Sequence, residues 1–212
     1  MIAIIDYGMG NLRSVLNAFR AIGAQAEVTS EPSALRDAVA VVLPGVGAFG
    51  EGMRRLRETG FLEALETEVT HKRKPFLGLC LGLQLLATTS EEHGKHAGLN
   101  WIPGVVVKLP LDDQAEHVRV PHIGWDTVRV TKRDAMYAGL GETPTFYFVH
   151  SYVFRPDDPT VVSGVCSYGG EWAASVQADH LWATQFHPEK SHSAGLSVVR
   201  NFYARVQEAA VA

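Results

Sequence analysis

The sequence predicts an α/β fold: a three-layer, open and mostly parallel sheet flanked by helices, with additional antiparallel strands in its second half. Two features carry that expectation. Before Cys80, the continuous apolar runs Ile2–Ile5, Val39–Leu43 and Pro75–Leu77 alternate with amphipathic stretches, and continuous apolar character marks strands covered on both faces. From Gly104 to Trp182 the runs become short, alternating and punctuated by turn residues, the pattern of antiparallel strands.

Taken in order, the first strand, Ile2–Ile5, ends at Asp6-Tyr7-Gly8-Met9-Gly10-Asn11. Leu12, Val15, Leu16, Phe19 and Ile22 then fall on one face of a helix that Gly23 stops. The loop between them lacks the third glycine of a dinucleotide-binding turn, so it reads as a tight turn open to a ligand or partner contact. Ala26–Thr29 is a weaker strand, and Val39–Leu43 a strong one followed by Pro44-Gly45-Val46-Gly47. Such a loop is either a plain turn or a segment whose backbone approaches a reacting atom. Met53, Leu56, Phe61, Leu62, Leu65 and Val69 mark one broken helix or two short ones, with the break at Gly60. The basic run His71-Lys72-Arg73-Lys74 reads as a solvated turn. Three β-α passages before the Cys80 strand imply parallel pairing, which gathers the Asp6, Pro44 and Cys80 loops at the carboxyl edge where such sheets bind ligands.

In the second half, Val105–Val107, Thr127–Val130, Phe146–Val149, Val161–Val165 and Ala173–Val176 read as strands that either extend the main sheet or form a second one. Leu181–Phe186 is a last strand, ending at His187-Pro188-Glu189-Lys190. Leu196, Val199, Phe202, Tyr203 and Val206 give a closing amphipathic helix.

No repeat or low-complexity linker divides the chain, and its 212 residues suit a single domain spanning 1–212. A net charge of -4 gives no global electrostatic case for nucleic acid or an anionic membrane. The N-terminus has no basic lead-in and no apolar run approaches the ~18 residues needed to span a bilayer, so a cytoplasmic protein is expected. Two cysteines, Cys80 and Cys166, are too few for a disulfide framework, and no zinc-binding spacing occurs. Neither a metal nor a cofactor is expected, nor a Cys80–Cys166 bridge in a reducing compartment.

Cys80 lies where an apolar strand gives way to the helix-compatible run Leu83, Gln84, Leu85, Leu86 and Ala87, between Gly78 and Gly82. This is the pattern of a nucleophile elbow with cysteine in place of serine. A thiol there gains the positive end of a helix and free backbone N–H groups, which favour the thiolate and hold an oxyanion. Alone it would count for little, because isolated cysteines in apolar runs are mostly packing residues. His187 and Glu189, two residues apart at a strand end, add a base and an orienting carboxylate. Nine histidines make any one of them unremarkable, but nucleophile, base and orienter together form an acyl-transfer set.

Through G-L-C-L-G-L-Q at 78–84, P-G-V-G at 44–47 and Q-F-H-P-E at 185–189, the sequence resembles the class I (triad) glutamine amidotransferases, which are flavodoxin-like. Within them it is most similar to the glutaminase subunits of imidazole glycerol phosphate synthases, of histidine biosynthesis. D-Y-G-M-G-N-L at 6–12, P-G-V-G-A-F-G-E-G-M at 44–53, P-H-I-G-W at 121–125 and Y-F-V-H-S-Y at 147–152 carry that narrower likeness. The resemblance implies that Cys80, His187 and Glu189 hydrolyse glutamine through a γ-glutamyl thioester. It implies an oxyanion site at Leu81, Val46 and Gly47, and glutamine contacts at Gly47, Gln84, Glu92, His150, Ser151 and Tyr152. It further implies a heterodimer with a (β/α)₈ cyclase subunit that receives ammonia through a tunnel and stimulates a nearly silent glutaminase, with Asn11 and Lys190 at that interface. Asp126 departs from the pattern, which usually has asparagine after P-H-I-G-W.

Three other readings share some of these features. Amidotransferases serving anthranilate, aminodeoxychorismate, guanylate or carbamoyl phosphate synthesis differ in the acceptor synthase. A cysteine peptidase or hydrolase would turn over peptides or esters without a partner. A binding module with a degenerate site would lack part of the triad, whereas all three members are present.

Overall fold

The computed structural model describes residues 1–109, 118–132 and 135–210. The first half comprises β1 (Ile2–Ile5), α1 (Leu12–Ala21), β2 (Ala26–Thr29), β3 (Ala40–Gly45), α2 (Phe49–Glu58), α3 (Phe61–Leu65), β4 (Phe76–Cys80) and α4 (Leu81–Gln84). There follow β5 (Thr89–Ser90), β6 (His96–Ala97), β7 (Gly104–Lys108), β8 (His122–Thr127), β9 (Arg129–Val130) and β10 (Thr145–His150). The chain closes with β11 (Tyr152–Pro156), β12 (Val162–Ser167), β13 (Glu171–Ala178), β14 (Leu181–Thr184) and α5 (His192–Ala209).

The main sheet runs in the order β2-β1-β3-β4-β14-β13-β12-β9. Its first five strands are mutually parallel, and β13 begins the antiparallel extension. β4 and β14 are therefore neighbours pointing the same way, although about a hundred residues part them in sequence. Their carboxyl ends deliver Cys80 and the His187 turn to one edge.

Alternate residues of the central strands sort to opposite faces, as a pleated strand requires. Ile2, Ile4, Val42 and Leu77 pack with Val15 and Phe19 of α1 and Val199 and Phe202 of α5. Ala3, Ile5, Val41 and Leu43 pack with Phe49, Met53 and Leu56 of α2 and with Phe61 and Leu65 of α3. These two apolar layers are the three-layer fold. Each fully buried aromatic or aliphatic side chain in them contributes about 1.5–3 kcal/mol.

Several local expectations are corrected. The β2–β3 connection is a short 3₁₀ turn, Pro32–Arg36, rather than a third helix. β3 continues to Gly45, pairing Pro44 with Leu79 and Gly45 with Cys80, so the loop starts at Val46 rather than at Pro44. The basic run 71–74 is more than a solvated turn. Lys72 and Lys74 hold the buried carboxylate of Glu68 from 2.8 Å each, and Lys74 also donates to the Leu35 and Arg36 carbonyls at 2.7 and 2.6 Å. The expected strand 127–130 is two strands, split where Val128 turns into the core. The open choice between an extended and a second sheet resolves as both: β13, β12 and β9 extend the main sheet, β11-β7-β5-β6 form another, and β8 and β10 make a ribbon.

Candidate active site

Cys80 sits at the corner between β4 and α4 with φ +54° and ψ -104°, a left-handed, strained backbone for a non-glycine residue. The corner closes only because its flanks lack side chains. A Cβ on Gly82 would lie 1.9 Å from the Leu43 carbonyl oxygen, and one on Gly78 2.6 Å from the Gly82 oxygen. α4 is one turn long, so the expected helix through Ala87 is absent and a summed helix dipole is not what the corner offers. It offers the N–H groups of a first turn, which have no intrahelical acceptors.

His187 follows β14, its backbone N–H donating to the Tyr147 carbonyl at 2.9 Å. The Ser191 hydroxyl donates to the His187 carbonyl at 2.6 Å, and α5 approaches so closely at Gly195 that a Cβ there would meet the Pro188 oxygen at 1.9 Å. Nδ1 of His187 lies 2.8 Å from Glu189 Oε1. A carboxylate can only accept, so Nδ1 carries a hydrogen and Nε2 is left for proton exchange. Nε2 is buried and has no hydrogen-bond partner of good geometry, yet the Cys80 sulfur is near enough to change its proton affinity. Burial opposes the charged imidazole, but Cys80 and Glu189 outweigh it, and the pKa of His187 rises to about 10.

That shift has a testable sign. A pKa raised from 6.5 to about 10 gives a stabilising contribution that is complete below pH 6.5 and disappears as pH rises through about 10. In Cys80→Ala the sulfur's share is gone, so the His187 ring should titrate at lower pH than in the unaltered chain when followed by NMR. An unchanged titration would show that the thiol and the imidazole do not interact.

The sulfur has two further neighbours. Gln185 Nε2 donates to it from 3.6 Å, and the Val149 carbonyl oxygen lies 4.0 Å away. Gln185, fully buried, is a site residue that the sequence reading left without a role. Its place two residues before His187, at the end of an apolar strand, is the signal that it shares the histidine's side of an extended chain.

A cavity of about 380 Å³ opens over the thiol. Val46 and Gly47 form part of its wall, with Cys80, Leu81 and Gln84 from the elbow. Glu92, Val149, His150, Ser151, Tyr152 and Lys190 complete it. The His187 and Glu189 side chains are buried and do not line it. Gln84 is more committed than a simple glutamine contact requires, since its Nε2 donates to the Tyr152 carbonyl and to Gln185 Oε1, each at 3.0 Å. Glu92 is also engaged: its Oε2 accepts the Phe49 N–H at 2.6 Å, capping α2, which has no cap from its own Ala48. Lys190 places its ammonium 5.6 Å from the centre of the Tyr147 ring. Asn11 lies outside the cavity and caps α1, its side chain accepting from Ser14 N at 3.4 Å.

His150 is held between the Tyr152 carbonyl at 3.0 Å and His122 at 3.2 Å. Burial, then the neighbouring His122, lowers its pKa to about 3, so it stays neutral. Asp126 Oδ2 lies 3.5 Å from the far nitrogen of His122. The departing carboxylate thus joins a line of side chains that ends in the cavity wall. Burial and the same carboxylate push up the pKa of the buried Cys166 thiol. Both cysteines are free. Among the described residues no group of three or more His, Cys, Asp and Glu is arranged to hold a metal, and no helix is long and apolar enough to cross a membrane.

A cysteine at a strained strand corner, a His–Glu pair just beyond the adjacent parallel strand and a pocket over the sulfur suit the chemistry of the triad amidotransferases. The sequence profile of "Glutamine amidotransferase class-I" matches residues 3–206, and the chain belongs to that family. Within it, the chain is 47% identical to the "Imidazole glycerol phosphate synthase subunit HisH" of Geobacter sulfurreducens, over 95% of this chain and 97% of that protein. It is 50% identical to the HisH subunit of Methanothermobacter thermautotrophicus, over 95% and 97% of the two chains. Solved structures agree on the fold. A glutamine amidotransferase crystal structure superposes with a TM-score of 0.75 at 20% identity, covering 98% of this chain and 100% of that one. PurLQS from Thermotoga maritima gives 0.72 at 16%, with 97% and 98% covered.

Proposed function

We propose that the chain is the glutaminase subunit of an imidazole glycerol phosphate synthase, acting in the cytoplasm for histidine biosynthesis as a single amidotransferase domain. The observation that carries the reading is the buried His187–Glu189 pair beside a cysteine that opens into a cavity. His187 Nε2 takes the thiol proton of Cys80, the sulfur attacks the side-chain amide carbon of glutamine, and the carbonyl oxygen becomes an oxyanion held by the N–H groups of Leu81 and of the Val46–Gly47 segment. His187 gives the proton on Nε2 to the departing nitrogen, so ammonia leaves and a γ-glutamyl thioester remains. The same imidazole then takes a proton from water, which attacks the thioester and releases glutamate. Glu189 holds the ring's tautomer through its bond to Nδ1.

Gly47, Gln84, Glu92, His150, Ser151 and Tyr152 are the proposed glutamine contacts. With its nitrogen spent on Tyr152 and Gln185, Gln84 has only Oε1 to offer, an acceptor suited to the α-ammonium of the substrate. His150, neutral and hydrogen-bonded at both ring nitrogens, serves as wall rather than as a second base.

The partner is a (β/α)₈ cyclase subunit that takes up the ammonia through a tunnel, with Lys190 and Asn11 at the contact. The HisH relatives are named as synthase subunits, which supports a partner in general. Ile123 and Trp125, 59% and 47% exposed on β8, add an apolar patch near Lys190, since Trp125 packs on the Tyr147 ring that Lys190 overlies. No observation favours another acceptor synthase.

The test is covalent labelling by a glutamine-mimicking electrophile, with and without the cyclase and its bound ligand. One label per chain at Cys80, suppressed by glutamine and accelerated by the cyclase, is the expected result. Labelling that glutamine does not compete with would overturn the reading.

A further inference from the structure

We infer that Gln185 is a catalytic hydrogen-bond donor to the Cys80 sulfur, and that Gln84 is the positioning residue that aims it. The inference rests on Cys80 being the nucleophile of the proposed reaction. Gln185 is fully buried and Gln84 nearly so, and a primary amide taken out of water is costly unless its donors and acceptors are met. Here they are met in one order only. The Tyr152 carbonyl can accept and never donate, so it fixes the nitrogen of Gln84 toward itself at 3.0 Å. The second hydrogen of that nitrogen goes to Gln185, also at 3.0 Å, and therefore requires the oxygen of Gln185. The nitrogen of Gln185 is left facing the sulfur at 3.6 Å. Turning either amide over would set donor against donor or acceptor against acceptor at a buried contact. The orientation is thus dictated by a backbone carbonyl on β11, not by the amides themselves.

The chemical consequence is division of labour around the sulfur. His187 supplies charge and a transferable proton, whereas Gln185 supplies a neutral N–H that stabilises the thiolate of the free site and keeps it turned toward the pocket until it bonds to the substrate carbon. A donor of this kind acts on the free protein, before glutamine binds.

The experiment follows alkylation of Cys80 by iodoacetamide at pH 7, without glutamine, in the full chain and in folded variants. Gln185→Met keeps volume and removes the donor, and should slow alkylation about tenfold. Gln185→Glu keeps shape and the oxygen facing Gln84 but sets a carboxylate against the thiolate, and should slow it further. Gln84→Met releases the aim and should slow it less than either. In the complex with the cyclase, Gln185→Met should lower kcat for glutamine with KM within about twofold of its original value. A filler role predicts equal effects of the methionine and glutamate variants on alkylation, or none. Either outcome would overturn the inference while glutamine-protected labelling of Cys80 left the proposed function standing. Should Gln185→Met not fold, the order of Gln185→Glu and Gln84→Met against the unaltered chain decides the question.

Discussion

Cys80→Ala should lower glutamine-dependent synthesis by the cyclase complex at least about 10⁴-fold, while synthesis from added ammonium salts continues at its original rate. The size of the loss follows from what alanine removes. The remaining His187 can still polarise water and the N–H groups can still hold an oxyanion, but no atom forms the thioester that divides amide hydrolysis into two easier steps. Retention of the ammonia reaction follows from the fold. Cys80 is buried at the carboxyl end of a central strand and belongs to neither of the two apolar layers, so loss of the sulfur leaves the partner-facing surface in place. Both rates are read in one assay by supplying either nitrogen source. Loss of both activities would mean that Cys80 is structural, and loss of neither that the nucleophile lies elsewhere.

Gly82→Ala should destabilise the fold by about 3 kcal/mol or more, at the upper end of overpacking effects, and should abolish glutamine turnover even in the fraction that folds. The added methyl carbon would stand 1.9 Å from the Leu43 oxygen and 3.1 Å from its carbon, both backbone atoms of a central strand. No rotamer relieves that contact. α4 would have to lift off β3, carrying Leu81 and the Cys80 corner with it. Gly141→Ala is the control, since a Cβ there meets nothing within 4 Å, and its effect should stay within about 0.5 kcal/mol. Chemical denaturation of both variants makes the comparison. A Gly82→Ala protein as stable as the control would show that the corner is looser than its geometry implies.

The parallel sheet was legible because Ile2–Ile5 and Val39–Leu43 are apolar without interruption, a pattern only a doubly covered strand demands. Cys80, His187 and Glu189 were legible because their chemistry is carried in short local blocks. What could not be read is set by partners far along the chain. The end of β3 depends on pairing with β4, and α4 stops after one turn although leucines continue past it. Gln185 acquires its meaning from Gln84, 101 residues away, and Glu92 from the N–H of Phe49, 43 residues away. The basic run 71–74 misled because its charge suggested water, whereas Glu68 lies buried beneath it.

The grip of Glu92 on Phe49 also constrains how residues 46–48 can rearrange. One end of that stretch is locked by strand pairing through Gly45, the other by a 2.6 Å bond to a carboxylate from the turn between β5 and β6. Between two such bearings the chain cannot swing out as a flap; it can only spin a peptide plane about an axis that stays put.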